Sequence, residues 1–315
     1  MPPAPSPATP LRRILLHVGL PKTATSALQR WLHRNALLLA SAGACYPDGA
    51  HLRGDKHQFL VGELRRGGTT LARLLPRLRH TTAIFSAEGL SNHFYDFDPA
   101  ALRRFRQDTA GIDIEILMVT REREAWLRSY HKQCVVNPGN GASDLWGTAL
   151  TAAQIADHPR IRRLTDARQL GEDLLRGFGA RRLHRLRFEE DWFAATLALL
   201  GLDAATAPPL PRANDSLPDW AVEVLRRLNG IAAPERHKDY WKSALAAFLG
   251  SNHLELNAAA QADAMPPALA GEADAIRDLL SGWAAGPDLD LALRFLATAD
   301  EAIAHRRPLR ERLAR

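Results

Sequence analysis

Short apolar runs alternate with longer amphipathic stretches over the first two-thirds of the chain. Residues 13–19, Arg-Ile-Leu-Leu-His-Val-Gly, form a brief apolar run that ends in glycine, the pattern of a buried central strand. From Thr25 to about Ala42 the period changes to 3.6, with Leu28, Trp31/Leu32 and Leu38/Leu39 on one stripe. Strand, tight loop and helix in that order are the opening unit of a parallel α/β fold. Residues 82–86 and 113–120 read as a second and a third strand. The third runs directly into an amphipathic helix over about 122–135, which the turn chemistry of Asn137-Pro-Gly-Asn-Gly141 ends. Residues 182–188 alternate with period two as a fourth strand, followed by a helix over 192–200 closed by Gly201. A proline-rich connector at 207–218 leads to four helical stretches, 219–229, 234–249, 267–284 and 289–304. No internal repeat is present. The pattern predicts an α/β fold, with a mostly parallel central sheet flanked by helices on both faces and a helical C-terminal third. It divides the chain into a disordered leader (1–10), an α/β core (11–206) and a helical region packed on the core (207–315).

Composition narrows the class. The 315 residues are 46% apolar and 24% charged, the proportions of an ordinary globular protein. No apolar run reaches the roughly 18–20 residues that span a bilayer. The first ten residues hold five prolines and lack the charged and apolar regions of a signal peptide. Two cysteines, Cys45 and Cys134, are too few for a disulfide scaffold or a cysteine-based metal site. A cytoplasmic location without integral membrane association is expected. The net charge of +6 points to an anionic partner, yet the arginines are spread along the chain and interleaved with acids, as in Arg121-Glu122-Arg123-Glu124. No zinc-finger spacing, RNA-binding aromatic signature or basic zipper occurs, so nucleic acid is not the expected partner.

Placement is more informative than the total. Only five of the 41 basic residues are lysines, and one of them, Lys22, sits in the loop between the first strand and its helix. Thr23, Thr25 and Ser26 accompany it. A helix N-terminus with free amides, hydroxyl donors and a lysine is an anion site, whereas a simple cap needs one hydroxyl and no lysine. The loop is not a Walker A motif: Gly19-Leu-Pro-Lys22 is too short and has no glycine before the lysine. The third strand also ends in Arg121, where an NTPase would carry a magnesium-binding aspartate.

Leu-Pro-Lys-Thr-Ala-Thr-Ser (20–26) resembles the 5′-phosphosulfate-binding loop of sulfotransferases that use 3′-phosphoadenosine 5′-phosphosulfate (PAPS). That family's second signature is an arginine at a strand end followed eight positions later by a serine, and here Arg121 is followed by Ser129. Residues 85–90, 119–130 and 186–192 are similar to bacterial members of the family, so the motif-level similarity covers about 14–217. The resemblance implies a P-loop-like sulfotransferase fold and transfer of a sulfuryl group from PAPS to a hydroxyl, with 3′-phosphoadenosine 5′-phosphate as product and no metal. It implies that Pro21, Lys22, Thr23, Ala24, Thr25 and Ser26 hold the 5′-phosphate, with Lys22 stabilising the leaving charge. Arg121 and Ser129 would hold the 3′-phosphate; Arg123 competes with Arg121 but is only six residues from Ser129. Two candidates stand for the base. Glu88 lies just beyond the second strand, where the glycan-modifying branches carry a carboxylate. His57 is the type of base found in the small-molecule branches, with a pKa suited to neutral pH. The acceptor implied is a carbohydrate or small metabolite, with a peptide tyrosine as a third option.

The chain also departs from the family. Ala24 replaces the loop's usual glycine, which is tolerable only if that residue keeps a negative φ and does not crowd the phosphate. The nucleotide loop that animal cytosolic members carry in their C-terminal third is absent. Two other readings therefore stay open: a small-molecule kinase using ATP and magnesium, and a catalytically degenerate module that binds the nucleotide. Trp31, Trp126, Trp192 and Cys134 fall on apolar stripes and are expected in the core. Residues 212–216 read as turn chemistry, and the arginines of 306–315 as a basic tail.

Overall fold

β1 (Arg13–His17) is the central strand of a five-stranded sheet in the order β2-β3-β1-β4-β5. The others are β2 (Ala44–Cys45), β3 (Thr82–Ser86), β4 (Asp113–Thr120) and β5 (Arg182–Arg187), and every pairing is parallel. The structure, a computed structural model, describes residues 10–48, 51–139, 143–211 and 217–231, and beyond these 292–297 with a few single positions. Residues 1–9 of the expected leader (1–10), 212–216 of the connector (207–218), the basic tail 306–315 and most of the helices over 234–249 and 267–284 lie outside the described residues. So do Gly141 and the later part of the helix over 289–304.

The α/β class and the parallel sheet agree with the sequence pattern, and the second, third and fourth strands fall where it puts them. Their apolar runs are continuous because parallel strands are covered on both faces. Leu15 and Ile84 lie in register on one face and pack with Leu28, Trp31 and Leu32 of α1 (Thr25–Arg34). One difference concerns the first helix, expected over 25–42. It breaks at Asn35 into α1 and α2 (Ala36–Ser41): Asn35 leaves the helical conformation (φ −107°, ψ 35°), and its Nδ2 caps the Trp31 carbonyl. Periodicity alone does not resolve this, since the apolar stripe runs through the break.

The chain forms two compact units, residues 1–126 with 158–213 and residues 127–157 with 214–315. The division near 213 falls close to the expected 206/207 boundary, but the second unit also claims 127–157. In the first unit α3 (Gln58–Arg66), α4 (Thr70–Leu74), α5 (Gly89–Asn92) and α6 (Pro99–Asp108) fill the connections between β2, β3 and β4. α7 (Arg123–Val136) follows β4 and carries the chain into the second unit, which includes α8 (Ala152–Ala156). α9 (Pro159–Thr165), α10 (Ala167–Phe178) and α11 (Trp192–Leu199) return to the first. α10 lies close against β5: a methyl group on Gly171 would come within 2.6 Å of Leu183 Cδ2. Trp31, Trp126 and Trp192 are buried as expected.

The second unit's described part centres on α12 (Asp219–Gly230) and the C-terminal portion of α7. Asn229 Nδ2 donates to the carbonyls of Val135 and Thr148, and Arg226 to that of Ala149 at 2.6 Å. Cys134 is buried there, and burial pushes its thiol up to about 12. Among the described residues no helix is long and apolar enough to cross a membrane.

Candidate functional site

Strand order locates the site. After β1 the chain turns towards the β2–β3 side of the sheet, and after β4 it turns towards β5. A crevice therefore opens beyond the carboxyl ends of β1 and β4, the place where open parallel sheets bind ligands. Lys22 and Arg121 lie in the two loops that border it, and Glu88 follows β3 on the same edge. Arg121 is half-buried, with its guanidinium 4.9 Å from the centre of the Phe188 ring and a long hydrogen bond (3.4 Å) to the Lys22 carbonyl. The cation–π contact holds this charge at the crevice without neutralising it.

The loop itself is bent into an unusual shape and pinned there. Lys22 (φ 68°) and Ala24 (φ 57°) both adopt left-handed backbone conformations. Thr23, buried between them, donates its hydroxyl to the Leu20 carbonyl at 2.7 Å. Trp126 Nε1 donates to the Pro21 carbonyl at 2.7 Å, and Ser91 Oγ to the Gly19 carbonyl at 2.7 Å. Gly19 is required, because a Cβ there would strike the Thr25 side chain. The condition that Ala24 keep a negative φ is not met: it takes the conformation for which glycine is suited, at a cost of about 1 kcal/mol. Thr23 also differs from expectation, since its hydroxyl proton is spent on the loop and only its amide remains for a ligand.

The consequence is a row of open amides. Among the described residues, no hydrogen bond engages the N–H groups of Thr23, Ala24, Thr25 or Ser26, and no side chain caps α1. Ser26 Oγ has no partner there either. Successive amides around left-handed residues, at a helix N-terminus, make a concavity of positive potential.

Around it lie the candidate bases. Glu88 Oε1 accepts the Thr25 hydroxyl and faces the Lys56 ammonium at 3.5 Å, while Oε2 has no partner among the described residues. His57 is fully buried, its Nε2–H donating to the Pro47 carbonyl (2.7 Å) and its Nδ1 accepting the Ser86 amide (3.1 Å). Burial holds its pKa down to about 4. With both nitrogens committed to backbone, His57 ties the loop before α3 to β3 and has no lone pair to offer an acceptor. Ser129 sits on α7 in the portion belonging to the second unit, and Arg123 is exposed in the same helix's first turn.

Several residues around the loop escape sequence reasoning. His17, the last residue of β1, is buried, with Nδ1 2.7 Å from Ser86 Oγ, which also accepts from Gln29 Nε2. The His17 Nε2 is buried without a partner and lies 3.1 Å from where a Cβ on Gly19 would be. Burial lowers the His17 pKa to about 4. A histidine inside an otherwise apolar strand was the one available signal. Lys56 and Phe188 carried none, because their roles depend on contacts across the sheet edge. No protein-family model matches the chain, and no curated protein is significantly similar to it.

Proposed function

We propose that the protein is a PAPS-dependent sulfotransferase acting on a hydroxyl of a carbohydrate or small metabolite, with a peptide tyrosine as the further acceptor class, in the cytoplasm. The observation that carries this reading is the run of four unpartnered amides, 23–26, in a loop that three side-chain hydrogen bonds hold in place. Amides that converge at a helix N-terminus without an acceptor suit an anion, and a phosphate group would satisfy several together. The buried, unpartnered Nε2 of His17 beside Gly19 adds a further polar group beneath the same loop. Arg121 provides a second cation one strand away, which suits a nucleotide carrying two phosphate groups. The donor set fits that group.

PAPS would supply an activated sulfuryl group, whose transfer forms a sulfur–oxygen bond to the acceptor hydroxyl and breaks the one to the 5′-phosphate. In this reading the loop amides and Ser26 orient the 5′-phosphate, and Lys22 stabilises the charge left on its bridging oxygen. Arg121 holds the 3′-phosphate. Glu88 takes the acceptor's proton on Oε2, kept in position by Thr25 and Lys56 on Oε1. His57 supports β3 and is not the base.

A nucleotide-binding module without turnover is the second reading, favoured by the strained Ala24 in place of glycine. Thermal shift with 3′-phosphoadenosine 5′-phosphate against ATP plus magnesium tests the nucleotide class, and preferential stabilisation by ATP overturns the proposal. A sulfate-transfer assay on a panel of hydroxyl acceptors then separates enzyme from module. At saturating PAPS, Glu88→Gln should lower kcat with nucleotide affinity kept, whereas His57→Gln should lower stability.

A further inference from the structure

Although the arginines are spread along the chain, the net charge is not. Residues 51–80 hold seven Lys and Arg against two acids, +5 of the chain's +6, with three histidines besides. Both acids are spent locally. Glu63 accepts the amides of Thr70 and Leu71 at the start of α4, and Asp55 is 2.5 Å from His33. At the centre of this segment α4 continues into a helical turn at Leu75–Arg77. A recess of about 140 Å³ opens against it, lined by His51, Thr70, Arg73, Leu74 and Arg77.

Arg73 and Arg77, four residues apart, present two like charges to one space. Among the described residues neither guanidinium has a hydrogen bond or ion pair, so their repulsion is unrelieved within the protein. Leu74 gives the recess an apolar wall, which strengthens electrostatic attraction for whatever enters. Two guanidinium forks with a hydroxyl and an imidazole form a donor set for a planar or tetrahedral oxyanion. The recess is compact, not a stripe, and so matches a single anionic group better than a nucleic-acid backbone. The same segment reaches the candidate site: the His51 ring lies 5.7 Å from that of Phe59, and Lys56 faces Glu88.

We propose that this recess is a second anion-binding site, which takes a carboxylate, sulfate or phosphate group carried by the acceptor. The acceptor assignment rests on the sulfuryl-transfer reading; the anion site itself does not.

The test is binding of a sulfated disaccharide and of its neutral parent to the full chain, measured calorimetrically at low salt with saturating 3′-phosphoadenosine 5′-phosphate. The sulfated form should bind the natural protein at least tenfold more tightly than the Arg73→Ala/Arg77→Ala double variant. The neutral form should not distinguish them, and Arg73→Lys/Arg77→Lys should retain part of the affinity. Unfolding temperature and nucleotide affinity should be the same in both proteins, which separates a lost site from a damaged fold. Equal affinity of natural and double-alanine protein for the sulfated sugar overturns the proposal. So does tight, arginine-dependent binding of a single-stranded RNA oligonucleotide with no binding of the sugar, which would make this a nucleic-acid face. If the nucleotide fails to bind but the arginine-dependent sugar affinity persists, the sulfotransferase reading falls and the anion site stands.

Discussion

Two strand–loop–helix connections border the crevice, and they end their helices in opposite ways. At the β4–α7 junction the Glu122 carboxylate accepts the amides of Glu124 (2.8 Å) and Ala125 (2.7 Å), while Glu189 accepts the amide of Glu122 itself (2.8 Å). The chain provides its own anion, and the helix start is closed. At the β1–α1 junction four amides face no acceptor, no acid occupies the first turn of α1, and two residues hold left-handed conformations to keep the bend. An equivalent carboxylate here would stabilise the helix by about 1 kcal/mol. Leaving it out, and adding strain, makes sense where the anion comes from outside.

Filling or emptying either end tests that contrast. In the sulfotransferase reading the largest effect is expected from Lys22→Ala, which should lower sulfuryl transfer by about 10²–10³, as for loss of a donor to a developing oxyanion. An unchanged rate would remove Lys22 from the chemistry. Next is acid sensitivity. His17 and His57 are held near pKa 4 in the folded protein, against 6.5 when exposed. Below pH 6.5 the unfolded chain binds protons that the folded one refuses, so stability falls as pH drops towards 4. Between pH 7 and 4.5 the loss should be about 2–3 kcal/mol per histidine, measured by urea unfolding, and His57→Gln should remove its share of the slope. Trp126→Phe should cost about 1 kcal/mol through the lost bond to the Pro21 carbonyl, and it should weaken nucleotide binding. Glu122→Ala should cost a similar amount by uncapping α7 and leave nucleotide affinity unchanged, which distinguishes the closed end from the open one. The smallest effect is expected at Ala24→Gly, a gain of about 0.5–1 kcal/mol from relief of the positive φ, with binding kept.

The parallel sheet was legible because β1, β3 and β4 are buried on both faces, and continuous apolar runs report that directly. β2 was not: two residues, Ala44 and Cys45, carry no period, and only pairing with Thr82 and Ala83 makes them a strand. The position of the loop was equally plain from Lys22 and its hydroxyl neighbours. Its shape was not, since the sign of φ at Ala24 is set by the hydrogen bonds of Thr23, Ser91 and Trp126, the last two distant in sequence. His57 shows the limit of residue type as a guide. Its imidazole suits base catalysis, and only the carbonyl of Pro47 and the amide of Ser86 reveal that both nitrogens are taken.

The outer strands carry one more consequence. β5 pairs only with β4 among the described residues, and arginine stands at 182, 185 and 187 along it, while at the opposite margin β2 is two residues long. A chain briefly opened by heat thus offers its neighbours either a margin set with charged side chains or one too short to template. Copies of the protein are guarded against joining sheet to sheet into fibres.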